Sequence, residues 1–154
     1  MKLSTKGRYG LRALIDLAVY SEESAVSISS IAAREQISES YLEQLVAKLR
    51  KAGLVTSIRG AGGGYKLARP AQEISVGDIL RALEGNLEAV KCAGLDAEKG
   101  CEEADFCVTK YVWQKINESI TQAVDEIKLS QLVEESKAVK GRSEGSEQQG
   151  KRCC

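Results

Sequence analysis

Apolar residues recur at helical spacing along much of this chain. Leu11, Leu14, Ile15, Ala18 and Val19 predict an amphipathic helix over residues 9–20. The stretch SEES breaks it. VSISSIAAREQ then offers serines as N-caps and a short helix with Ile31 and Ala32 turned inward. Ser38 caps a third helix, ESYLEQLVAKLRKAG, with Glu39 in its first turn and Leu42, Leu45, Val46 and Leu49 on one face. Gly53 supplies its stop. The pattern then becomes strand-like: VTSIR and YKLAR flank the glycine run GAGGG, a hairpin with a flexible tip that Pro70 closes. SVGDILRALEG returns to helical spacing, with Ser75 and Asp78 as a capping box, Val76, Ile79, Leu80 and Leu83 inward, and Gly85 as the stop.

A polar segment holding three cysteines follows, and its composition predicts a loop. From about Val108 to about Lys128 a long helix carries Trp113, Ile116, Ile120, Ala123 and Ile127 at steps of 3, 4, 3 and 4. That stripe spans about two heptads and fits packing on its own domain or on the same helix of a second chain, with Trp113 as an anchor of a dimer core. SQLVEES predicts a last short helix. From about Ala138 the composition predicts disorder.

The 154 residues fit one domain, or one small domain with an arm, and 43% hydrophobic with 29% charged residues is ordinary for a soluble protein. No apolar run is long enough to span a bilayer. Arg12 and Asp16 interrupt any signal-peptide core at the N-terminus, so a cytoplasmic protein with reduced thiols is expected. Net charge is zero but uneven. Residues 1–70 carry 11 basic and 6 acidic side chains, whereas residues 71–154 carry 11 and 16. A basic first half suits a polyanion. No nucleophile–base pair or catalytic histidine is present, and GAGGGYKL lacks the Gly-Lys-Ser/Thr ending of a phosphate loop. An enzyme is not expected.

Three helices and a glycine-tipped basic hairpin form the order of a winged helix–turn–helix. The expected fold is therefore mainly α with a small β-hairpin, continued by a long dimerisation helix. Residues 1–70 would form the DNA-binding domain. Residues 71–137 would form the fourth helix, the cysteine loop and the dimerisation helix, and residues 138–154 a disordered tail. The outer face of the third helix carries Ser40, Glu43, Gln44, Lys48 and Lys51, with Ser38 and Tyr41 at its N-terminal end. Ser, Gln and Tyr can hydrogen-bond bases or phosphates, and Lys binds phosphates. Gln44 has the reach for a bidentate contact to adenine, and Glu43 can accept from a cytosine amino group. Exposed polar residues are also the ordinary outer face of a helix. At the wing, Arg59 leads into Gly60 and Gly62, where the lack of side chains permits close approach to a ligand.

MKLSTKGRYGLRAL, ISESYLEQLVAKLRKAGLV, RGAGGGYKLARP and VGDILRALEG, followed by the late cysteine triplet, resemble the IscR-type iron–sulfur cluster regulators over roughly residues 1–135. The resemblance implies a homodimeric bacterial transcription factor on a pseudo-palindromic double-stranded DNA operator. Ser38, Ser40, Glu43 and Gln44 would lie at the bases, Arg59 in the minor groove, and the long helix in the dimer interface. Cys92, Cys101 and Cys107 would hold a cluster, 2Fe–2S by the closest pattern and 4Fe–4S in some relatives. Control of cluster-assembly genes is implied by analogy alone.

The cysteines are separated by eight and then five residues, which matches neither a zinc ribbon nor the common ferredoxin runs. Unliganded cysteine is usually buried, so three in a polar loop point to ligation. The IscR type has a histidine three residues after its third cysteine. Here that position is Lys110, which is protonated at neutral pH and a poor iron ligand. The fourth ligand is left open among Glu102, Glu103, Asp105, a partner-chain residue, an external thiol or water, and Cys153 or Cys154, whose thiols otherwise read as exposed and oxidisable. An alternative keeps the winged helix but makes the protein a cluster-free regulator responding to a partner protein or to thiol oxidation.

Overall fold

The structure is a computed structural model that describes residues 2–96 and 98–143. Helix α1 spans Thr5–Tyr20, α2 Ile28–Glu35 and α3 Glu39–Lys51; strands β1 (Val55–Ile58) and β2 (Gly64–Leu67) form the wing; α4 spans Val76–Glu84, α5 Thr109–Glu126 and α6 Leu129–Ser143. The expected mainly helical winged helix–turn–helix is present. Helix α1 starts at Thr5, ahead of the expected residue 9, because the Ser4 hydroxyl caps it, accepting the N–H of Lys6. Ser27, Ser38 and Ser75 cap α2, α3 and α4 in the same way, and Ser75 with Asp78 makes the full capping box. After α3, Leu54 N–H reaches back to Leu49 O at 3.0 Å, closing the helix at Gly53.

The strands pair antiparallel with Val55 opposite Leu67 and Ile58 opposite Gly64. A third arm, not expected from the pattern, joins them: Val26 and Tyr65 exchange both backbone hydrogen bonds, at 2.9 and 2.8 Å. A side chain at Gly64 would collide with the Val26 carbonyl, and its φ of 152° lies outside the ordinary range of other residues.

One apolar core runs across residue 70. Leu14, Leu17, Ile31, Leu42, Leu45, Leu49 and Leu54 share it with Ile74, Ile79 and Leu129. Helix α6 packs on α1 and contributes Leu129 and Val133 to the shared core. It extends to Ser143, past the Ala138 at which its polar composition predicts order to end, with Lys137 bound to Glu22 at 2.6 Å and Lys140 to the Tyr20 hydroxyl at 3.2 Å. Residues 144–154, with Cys153 and Cys154, lie outside the described residues. Helix α5 has no buried residue. Asn117 and Val124 face the rest of the chain, through the backbone at 89–90 and the small cluster of Val76, Leu80 and Leu87.

The end of α4 fits against the start of α1. Glu84 Oε1 accepts hydrogen bonds from Ser4 N–H at 2.9 Å, Ser4 Oγ at 2.5 Å and Gly7 N–H at 3.0 Å. A Cβ at Gly7 would meet that carboxylate, and one at Gly10 would overlap the Leu83 side chain. Burial disfavours the Glu84 charge, but the bonds from Ser4 and Gly7 outweigh it and hold its pKa below the usual value. A depressed folded pKa gives stability that is present above the unfolded pKa and is lost as pH falls through the folded one. Urea unfolding should therefore show Glu84→Gln to be less stable than the parent at neutral pH. The gap should close as pH drops through the ordinary carboxylate range and below; a gap independent of pH counts against this role.

Candidate nucleic-acid interface and cysteine loop

Two ion pairs fix α2 on α1 and so set the angle of α3. Arg34 bonds the buried Asp16 carboxylate with Nε and Nη2 at 2.9 and 2.8 Å. Asp16 raises the Arg34 pKa through this hydrogen bonding against the cost of burial. Arg12 reaches Glu35 at 3.0 Å. Forked pairs of this kind carry geometric specificity as well as energy.

On this frame Ser40, Glu43 and Gln44 stand exposed on α3, and Arg59, Gly60 and Gly62 stand exposed on the wing. Gly63 N–H donates to Gly60 O at 3.0 Å, closing a tight turn in which Gly62 takes φ 74°, as a type II turn requires at its third position. The remaining expected contacts are partly committed to the scaffold. The Ser38 oxygen caps α3 through Tyr41 N–H at 3.2 Å. The Tyr41 ring meets Tyr9 edge-on, and its hydroxyl donates to Thr5 Oγ1 at 3.4 Å. Lys48 donates to Leu83 O at 3.4 Å, placing a cation at the C-terminal end of α4. These links join residues distant in sequence and leave no local pattern; glycine at positions 7 and 10 is the feature that could have marked the close approach.

The chain leaves α4 at Gly85 and enters the cysteine loop. Cys92 and Cys107 are half-buried, Cys101 is exposed, and all three are free thiols. Cys92 and Cys101 meet at Gly94, where an added Cβ would lie 3.6 Å from the Cys92 sulfur and 3.8 Å from Cys101 Cβ. Cys107 immediately precedes α5. Val108 gives that helix no side-chain cap, and the Cys107 sulfur lies 3.2 Å from Thr109 Oγ1. That hydrogen bond lowers the thiol pKa, followed by the backbone N–H of Lys110. Three free thiols on one loop suit an iron–sulfur cluster in donor chemistry. They are not preassembled: among the described residues no three His, Cys, Asp or Glu side chains are gathered to hold a metal ion. Lys110 points its ammonium over the Tyr111 ring, 5.4 Å from the centroid.

The expected stripe on α5 is largely uncovered. Ile116 and Ile127 are exposed, Trp113 and Ile120 are half-buried, and the adjoining Phe106 and Tyr111 are 89% and 62% exposed. No helix among the described residues is long and apolar enough to cross a membrane.

The model of the Rrf2 family, described as an iron-dependent transcriptional regulator, matches residues 3–135. The chain belongs to the Rrf2 family. The HTH-type transcriptional regulator IscR of Serratia proteamaculans is 43% identical over 133 residues, covering 86% of this chain and 79% of the relative. The solved structure of T. potens IscR is 47% identical with a TM-score of 0.67, covering 97% of this chain and 94% of that one. CymR, the global cysteine regulator of B. subtilis, is 42% identical with a TM-score of 0.71, covering 87% and 97%. These Rrf2 relatives are named regulators, so this chain is a transcriptional regulator of IscR type and not an enzyme.

Alkylation of the apo protein tests the thiol chemistry. The pH midpoint for Cys107 should lie below that of an ordinary thiol, about 8.5, and Thr109→Val should raise it. An unchanged midpoint contradicts the assigned hydrogen bond.

Proposed function

We propose that this regulator is a cytoplasmic homodimer that binds double-stranded DNA and senses iron–sulfur cluster status through Cys92, Cys101 and Cys107. What carries the proposal is that the three thiols are free on a loop that starts at the end of α4, and that this end also bonds α1 and α3. Ser40, Glu43 and Gln44 read base edges in the major groove, with Ser38, Tyr41 and Lys48 placing the helix on the backbone. Arg59 enters the minor groove, and Gly60 and Gly62 let the wing backbone come close. The exposed stripe of α5 pairs with that of a second copy, which gives the operator its pseudo-palindrome. A bound cluster, 2Fe–2S or 4Fe–4S, supplies iron to join the three sulfurs. The fourth position falls to Glu102, Glu103, Asp105, a partner-chain group or an external ligand, because Lys110 does not suit it. Ligation closes the loop and changes operator preference by favouring one loop state over another. By analogy with IscR, the target genes are those of cluster assembly.

A second reading is a cluster-free regulator acting through thiol oxidation or a partner protein. The lowered Cys107 pKa and the lysine at position 110 favour it. Absorption after anaerobic reconstitution separates the two: a visible chromophore lost in Cys92→Ala supports the cluster, and a colourless parent protein supports the second reading.

DNA contacts are tested separately by fluorescence anisotropy on a duplex operator. Gln44→Ala should lose about 1–3 kcal/mol at one base-pair position only. Arg59→Ala should weaken binding most where the minor groove is narrow. Unchanged affinity in both variants contradicts the assigned face.

A further inference from the structure

Between α4 and the first cysteine the chain has no regular secondary structure, yet one side chain holds it in place. Asn117, about two turns into α5, uses both ends of its amide on the backbone of that segment. Its Oδ1 accepts the N–H of Ala89 at 2.9 Å and lies 3.5 Å from the N–H of Val90, and its Nδ2 donates to Val90 O at 3.1 Å. A neighbouring strand would satisfy the same groups. Buried Leu87 anchors the preceding turn against Val76 and Leu80. Beyond Val90 the loop is stitched by local backbone bonds, such as Leu95 N–H to Cys92 O and Ala104 N–H to Cys101 O, both at 3.0 Å.

The placement of the cysteines gives this arrangement its meaning. Cys107 is joined covalently to the start of α5. Cys92 lies two residues beyond Val90, so it is tied to the same helix through Asn117. Cys101 meets Cys92 at Gly94. Cys92 and Cys107 therefore both refer to one helix, Cys107 through the chain itself and Cys92 through hydrogen bonds that can be broken.

We propose that Asn117 is the positioning residue of the cysteine loop: it clamps the Cys92 arm to the helix that carries Cys107 and thereby sets how tightly the loop retains an iron–sulfur cluster. This rests on the cluster-binding reading above. The clamp acts on geometry and touches no iron. Removing it frees the arm beyond Leu87, residues 88–92, and leaves the core of α1–α4 as it was. Partners that orient metal ligands at one remove typically change metal affinity by about 10–100-fold.

The test compares full-length protein with Asn117→Leu, which removes donor and acceptor at similar size, and Asn117→Asp, which keeps the acceptor and loses the donor. In apo protein, hydrogen exchange at Ala89 and Val90 should accelerate about tenfold in Asn117→Leu, as expected for a lost hydrogen bond. Exchange in the α1–α4 core should stay unchanged, and Asn117→Asp should fall between the two. In reconstituted protein, loss of the visible chromophore to a chelator should run about tenfold faster in Asn117→Leu, with the thermal midpoint of the apo protein unmoved. Unchanged exchange at Ala89 and Val90 overturns the clamp whatever the chromophore does. A loaded parent and a loaded Asn117→Leu that release at equal rates overturn its role in retention. A parent protein that takes up no cluster refutes the cluster reading and with it retention, while the exchange data still decide the clamp.

Discussion

The carboxylate of Glu84 takes three hydrogen bonds from the first turn of α1, and glycine at positions 7 and 10 lets α4 come close enough to make them. A charged acceptor satisfies N–H groups that a helix start otherwise leaves to solvent, and it meets the positive end of the helix dipole. Lys48 of α3 bonds the Leu83 carbonyl beside it. Two helices, α1 and α3, thus converge on the last turn of α4. That turn is also where the chain departs for the cysteine loop.

The proposed function requires a firmly held DNA face and a loosely held cysteine loop, and the bonding among the described residues is consistent with that requirement. Among them every buried side-chain nitrogen and oxygen is hydrogen-bonded, and Asp16–Arg34 and Arg12–Glu35 lock α2 to α1. The loop from Lys91 to Cys107 instead relies on short local turns, such as the Asp96 carboxylate accepting the N–H of Glu98 at 3.0 Å. Segments of this kind open at low free-energy cost, which is where switching elements are drawn from.

Most of the fold was legible in the sequence because its signals are local. The leucine spacing of α3, the Ser75–Asp78 box and Gly53 each act within one or two turns. What escaped depends on contacts distant in sequence. Val26 pairs with the wing through a single residue and leaves no alternating pattern. Asn117 looks like an ordinary polar position until residues 89 and 90 are placed against it. The polar end of α6 reads as disordered, yet Lys137 and Lys140 find Glu22 and Tyr20 more than a hundred residues earlier. On the proposed DNA face, helical spacing identified the outward residues of α3 but did not show that Tyr41 and Lys48 also brace α1 and α4. The cysteine triplet was visible at once, and its incomplete assembly was not, because spacing carries no distance.

The most direct test of the account is the affinity of one labelled operator duplex for cluster-loaded and apo protein, measured by anisotropy at matched dimer concentration and fixed salt. The account predicts affinities that differ by about tenfold or more, the scale of a typical allosteric coupling of 1–3 kcal/mol. Equal affinities at every operator tried would contradict it and leave the loop without a regulatory role.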